Sequence, residues 1–139
     1  IVEDDSALRR LAVAILRNCG YGIQESNNAF EALELIRRNP NFDLVLTDVI
    51  MPLMSGKQLS DELRLQCPRT KILLMSGYTD DALAHHGVLD EGLLFLEKPF
   101  SPIKLARKVR EALDGSDMPA TRPPANGNGK RKDFALASA

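Results

Sequence analysis

Five residues could do chemistry together: Glu3, Asp4, Asp48, Ser76 and Lys98, each at the end of a short apolar run. The runs are Ile1-Val2, "FDLVLT" (Phe42 to Thr47), "KILLMS" (Lys71 to Ser76) and "LLFLE" (Leu93 to Glu97). If they are strands of one parallel sheet, their carboxyl ends share the edge where open α/β sheets bind ligands. Three carboxylates, a hydroxyl and an ammonium then converge. Crowded carboxylates repel one another and need a counter-charge. An all-oxygen set suits Mg2+ (or Mn2+), which takes a few carboxylates, waters and a substrate phosphate oxygen. Lys98 adds a fixed positive charge and Ser76 a neutral hydrogen-bond donor. Such parts stabilise a transferring phosphoryl group, and Asp48 can attack it in line to form an aspartyl-phosphate. Taken singly, an acid after a strand is ordinarily a helix cap or loop residue, and Asp5 is read that way. The ordered set carries the chemistry.

The elements that must position these residues follow from periodicity. The three longer runs are nearly continuous rather than alternating, as in strands covered on both faces. "YGIQES" (Tyr21 to Ser26) alternates more and suits a strand nearer the sheet edge. Between the runs lie helical patterns. Leu8, Leu11, Ala12, Ile15 and Leu16 follow a Ser6 N-cap. Asn28 and Glu31 form a capping box, with Phe30, Leu33 and Ile36 on the inner face. Leu59 and Leu63 follow Gly56, and Thr79 to His86 is a poor helix former. Ser101-Pro102 opens a last helix with Leu105, Val109 and Leu113 inside. Strand-helix repeated five times predicts an α/β helix-sheet-helix sandwich with a five-stranded parallel sheet and right-handed crossovers.

Of 139 residues, 18 are basic and 19 acidic, a formal net charge of -1. One domain is expected. Neither a nucleic-acid surface nor a membrane segment is predicted, since there is no basic excess and no long apolar run. Cys19 and Cys67 have no metal spacing and read as core thiols. Without a visible signal peptide, the cytoplasm is the expected location. The first residue is Ile, which reads as a cut-out or processed piece. Residues 1-114 form the expected domain; 115-139, rich in Pro, Gly and Asn, read as a flexible polar tail with no room for a DNA-binding domain. The "KRK" at Lys130 to Lys132 is a short solvated run, and the adjacent His85 and His86 are not a metal pair.

The stretches "VEDD", "LTDVIMPLMSG", "LLMSGYT" and "FLEKPF" resemble the receiver domain of two-component signalling, a flavodoxin-like doubly wound (βα)5 fold, from Ile1 to about Leu113. The resemblance implies that Asp48 is the phosphoacceptor and that Glu3 and Asp4 form the acid pair, Asp4 binding Mg2+ directly. It adds the backbone carbonyl of Ile50 as a metal ligand. It places Ser76 at the switch hydroxyl, Lys98 at the phosphate-pairing lysine and Phe95 at the aromatic switch position, and suggests a cis Lys98-Pro99 bond. The implied donor is a phosphohistidine on a histidine kinase or histidine phosphotransfer domain. The implied output is a population shift of the face around the fourth helix, fifth strand and last helix, which also leaves a dimer through that face open.

Two departures from the family pattern matter. Only Ile1 and Val2 precede the acid pair, so a shortened central strand is expected. Ile50 and Tyr78, both bulky, flank the path of the attacking water, and slow autodephosphorylation is expected from them. "LLMSGYT" and "GVLDEGLLFLEKPF" look like receivers at the C-terminal part of hybrid sensor histidine kinases, with a stand-alone response regulator the runner-up. A Mg2+-dependent phosphohydrolase acting on small phosphate esters is the alternative. Such enzymes place a general acid two residues after the nucleophile, where this chain has Ile50.

Overall fold

A computed structural model describes residues 1–77 and 93–115. In chain order the elements are α1 (Ser6–Asn18), α2 (Ala29–Arg38), β1 (Leu44–Asp48), α3 (Gly56–Gln66), β2 (Lys71–Ser76), β3 (Leu94–Glu97) and α4 (Pro102–Asp114). The expected helix at Thr79 to His86, Tyr78, and residues beyond Gly115 lie outside the described residues.

The strands β1, β2 and β3 pair in parallel and in that order, with Asp48 opposite Met75 and Ser76 opposite Glu97. Val2 bridges Thr47 on one side and Ser26 on the other, both in parallel. The segments therefore run in the spatial order second, first, third, fourth, fifth, the doubly wound arrangement. Among the described residues only three of the five expected strands form full ladders. The Tyr21 to Ser26 stretch meets the first segment through Ser26 N–H, which donates to the Ile1 carbonyl at 2.9 Å, and through the Gln24 carbonyl, which accepts from the Ile1 nitrogen at 2.8 Å.

Alternate strand residues point to opposite faces, and both faces are covered. Val45 packs with Ala32, Leu33 and Ile36 of α2 and Leu59 and Leu63 of α3. Leu46, Leu73, Met75 and Leu96 pack with Ala12 and Leu16 of α1 and Leu105 and Val109 of α4. Two-sided burial is why these strands read as continuous apolar runs.

Helix starts follow local chemistry, with corrections. The N-cap of α1 is Asp5 rather than Ser6; its Oδ1 accepts from the N–H groups of Ala7 and Leu8 at 2.9 and 3.0 Å. The two lone pairs of that one carboxylate oxygen take both bonds. Asn28 caps α2 as expected, but Glu31 reaches back to the N–H of Asn27. A reciprocal capping box occurs instead at Ser55 and Gln58 of α3. Ser101 caps α4, with Pro102 in the first turn. Leu11 and Phe30, expected inside, are half exposed, and Cys19 is exposed rather than in the core. Cys67 ends α3 and packs on its core.

A groove of about 1190 Å3 opens at the amino ends of the strands, lined in part by Tyr21, Ile23, Leu44, Lys71 and Val109. Asp48 and Ser76 lie at the other end.

Candidate functional site

The Val2 to Asp4 segment, β1, β2 and β3 all end on one edge and deliver their polar residues there. Asp48 is the last residue of β1 and Ser76 the last of β2. Both are buried, as is Glu3, which is 1% exposed; Asp4 is exposed. Lys98 directly follows β3 and is joined to Pro99 by a cis bond.

Lys98 ties the edge together. Its Nζ donates to Glu3 Oε2 at 2.8 Å and lies 3.1 Å from Asp48 Oδ1. Its backbone N–H donates to the Ser76 carbonyl at 2.8 Å. Carboxylate oxygens of Glu3, Asp4 and Asp48 lie within 4.8 Å of one another. Burial pushes the Asp48 carboxyl above its ordinary range against the opposing pull of Lys98, and burial pushes Glu3 up in the same way. Burial works to lower the Lys98 pKa, but its bond to Glu3 and the charge of Asp48 outweigh that and raise it. Three carboxylates face one ammonium at this edge. The surplus negative charge and all-oxygen donors fit a divalent cation of the Mg2+ class.

The backbone after Asp48 is shaped by close approach. The N–H of Val49 donates to the Met75 carbonyl at 2.9 Å, and that of Gly56 to the Val49 carbonyl at 2.8 Å. Gly56 starts α3 so close to β1 that a Cβ there would collide with the Asp48 carbonyl. The chain turns between Asp48 and α3 through Met51 to Ser55. The left-handed residue is Leu53, at φ 72°, while Gly56 is required for lack of space. Met51 is buried and Met54 packs on the α2–α3 core. Ile50 is 39% exposed beside the site.

Ser76 and Phe95 lie on adjacent strands with Ser76 opposite Glu97 and Phe95 opposite Leu74, so they share one face of the sheet. Phe95 is partly buried against Val49 and Leu74. Sequence reasoning missed Thr47, fully buried behind the acceptor, whose Oγ1 donates to the Asp48 carbonyl at 3.1 Å. It also missed Arg9, whose Nη1 donates to the Glu3 carbonyl at 2.6 Å.

The family model for the response regulator receiver domain matches residues 1–110. The chain belongs to that family. This receiver is 40% identical over 118 residues to the sensor kinase CckA of Brucella abortus (strain 2308), covering 84% of this chain and 12% of that protein. It is 31% identical over 113 residues to the response regulator receiver protein CpdR of the same organism, covering 81% of this chain and 93% of that one. Among solved structures, the receiver domain of the hybrid histidine kinase CckA superposes with a TM-score of 0.69 at 33% identity, covering 81% of this chain and 94% of that one. Vibrio cholerae CheY4 gives 0.72 at 27% identity, with the same coverage. The flavodoxin-like fold and a place in two-component phosphorelay signalling follow. The chain spans 12% and 29% of the first two curated relatives it matches. No helix among the described residues is long and apolar enough to cross a membrane.

Proposed function

We propose that this receiver takes a phosphoryl group on Asp48 from the phosphohistidine of a histidine kinase or histidine phosphotransfer domain. The observation that carries the reading is Lys98 Nζ held between Glu3 and Asp48 at 2.8 and 3.1 Å, beside three converging carboxylates. A carboxylate oxygen of Asp48 attacks phosphorus in line; the phosphorus–nitrogen bond breaks and its electron pair leaves with the imidazole. Lys98, already anchored to Glu3, pairs with the phosphoryl oxygens without reorganisation. Mg2+ (or Mn2+), when held by Glu3, Asp4, Asp48 and the Ile50 backbone carbonyl, supplies the remaining positive charge on those oxygens. Ser76 then bonds the new phosphoryl group and Phe95 fills the space it leaves, shifting the adjoining face between two populations. The bulk of Ile50 slows hydrolysis by crowding the water path, and the family pattern gives the Tyr78 position the same part. Higher identity to the sensor kinase CckA than to the receiver protein CpdR supports attachment to a kinase polypeptide, and a cytoplasmic location beside the phosphohistidine donor is part of this reading.

The test is incubation with a small phosphodonor and Mg2+, followed by intact mass. One added phosphoryl group is expected in wild type and none in Asp48→Asn. An adduct that survives Asp48→Asn overturns the assignment. Ile50→Asn is expected to shorten the lifetime of the adduct, and an unchanged lifetime counts against the role given to Ile50.

A further inference from the structure

We propose that Arg9 is a positioning residue for the divalent-cation site, acting through the peptide plane that joins Glu3 to Asp4. After Val2 the chain leaves the sheet, and the Glu3 N–H makes a last bond to the Ser26 carbonyl at 3.2 Å. The Glu3 carbonyl, beyond the reach of the ladder, is taken by Arg9 Nη1 at 2.6 Å. The same guanidinium faces Glu25, Nε to Oε2 at 3.6 Å, and the Arg9 side chain is only 18% exposed. The fork is thus held at both ends.

Peptide planarity gives this contact a consequence for the site. The Glu3 carbonyl and the Asp4 N–H belong to one rigid plane, so fixing the carbonyl fixes the direction in which Asp4 leaves it. The neighbouring acids have other anchors. Glu3 is held by Lys98 and by the Asp5 N–H at 3.1 Å, and Asp48 by Lys98 and its strand. Among the described residues, no hydrogen bond or ion pair holds the Asp4 carboxylate, which nonetheless lies within 4.8 Å of the other two. Its placement comes from the backbone: Arg9 fixes the Glu3–Asp4 peptide, and the Glu3 carboxylate takes the N–H of the next one, at Asp5. Groups that orient metal ligands typically contribute about 10–100-fold to affinity.

The inference rests on the proposed cation site, and its sign separates geometry from charge. Removing a positive charge near a cation site would, by Coulomb's law alone, tighten cation binding. Positioning predicts the reverse. Mn2+ titration of the full chain, read by the electron paramagnetic resonance signal of free Mn2+, compares wild type with Arg9→Ala, Arg9→Lys, Arg10→Ala and Asp4→Asn. Arg9→Ala is expected to raise the Kd about 10-fold or more. Arg9→Lys keeps the charge but not the fork and should fall between it and wild type. Arg10, whose hydrogen bonds among the described residues go to Ser6, is the control and should leave the Kd unchanged. A Kd for Arg9→Ala that is unchanged or lower overturns the proposal, even if the unfolding midpoint falls. Should Arg9→Ala not fold, wild-type affinity in Arg9→Lys overturns it. If Asp4→Asn binds Mn2+ as wild type does, the cation site itself fails and the proposal with it. If Asp4→Asn loses binding while Arg9→Ala keeps it, the positioning role alone fails.

Discussion

Gly56→Ala is the substitution whose effect the packing defines most sharply. A Cβ at Gly56 would penetrate the Asp48 carbonyl oxygen and sit 2.9 Å from its carbon and 3.1 Å from the Val49 Cα. All three atoms are backbone, at the end of a strand bonded on both sides, so no side chain can swing away. Relief requires α3 and the end of β1 to separate, which strains the Gly56–Val49 hydrogen bond at 2.8 Å and pulls Leu59 and Leu63 from their core. Overpacking of this kind costs about 1–3 kcal/mol, and the rigid partners put Gly56→Ala at the upper end. Better helix propensity returns at most about 1 kcal/mol. The net loss is about 2 kcal/mol, or a fall in Tm of roughly 6–12 °C for a domain of this size. Gly77→Ala is the matched control, because its nearest contact is Lys98 Cβ at 4.0 Å, an ordinary distance. Thermal unfolding by circular dichroism reads both, and the rate of Asp48 phosphorylation by a small phosphodonor reads the site. A Gly56→Ala protein that melts with wild type and accepts phosphate at the wild-type rate would refute the close-approach argument.

Other variants test separate parts of the reasoning. Leu53 has φ 72° and is 87% exposed, so Leu53→Asn relieves backbone strain without losing packing and should gain about 0.5–1 kcal/mol by urea denaturation. Ser60 is fully buried with its Oγ unpartnered among the described residues; Ser60→Ala should raise stability by about 1 kcal/mol in the same assay. Lys98→Met strands two buried carboxylates and should cost about 2–3 kcal/mol near neutral pH. Its pH dependence has a definite sign. Glu3 and Asp48 titrate above their ordinary 4.5 and 3.8, so the folded state holds protons that the unfolded state has lost, and stability falls as pH rises through that window. Losing Lys98 pushes both acids higher, so the deficit of Lys98→Met should shrink as pH is lowered into the range where they take up protons. A deficit independent of pH would show that Lys98 does not compensate these acids.

Much of the site was legible in one dimension because the strands are short apolar runs with a polar residue at each carboxyl end. Glu3 and Lys98 are 95 positions apart yet hydrogen-bonded: parallel strands bring both to one sheet edge, and the long lysine side chain spans the two strands between them. The helix stripes were less legible. Leu11 and Phe30 fit the helical repeat but sit at the margin of their buried faces, and periodicity does not tell how wide the covered stripe is. The Tyr21 to Ser26 stretch has strand composition, but among the described residues it makes only an isolated parallel bridge, Val2 to Ser26, because a strand is made by its partner and not by composition alone.

By itself, then, the sequence determined the alternation of strands and helices, the family, and which side chains meet at the sheet edge. These depend on residue type and order along the chain, which survive without coordinates. Only the tertiary structure decided that Asp5 and not Ser6 caps α1, that Gly56 is needed for space while Leu53 turns left-handed, and that Arg9 reaches back to the Glu3 carbonyl. Each is a backbone contact set by how closely two elements approach. Such distances arise from packing the whole layer and leave no signature in local composition.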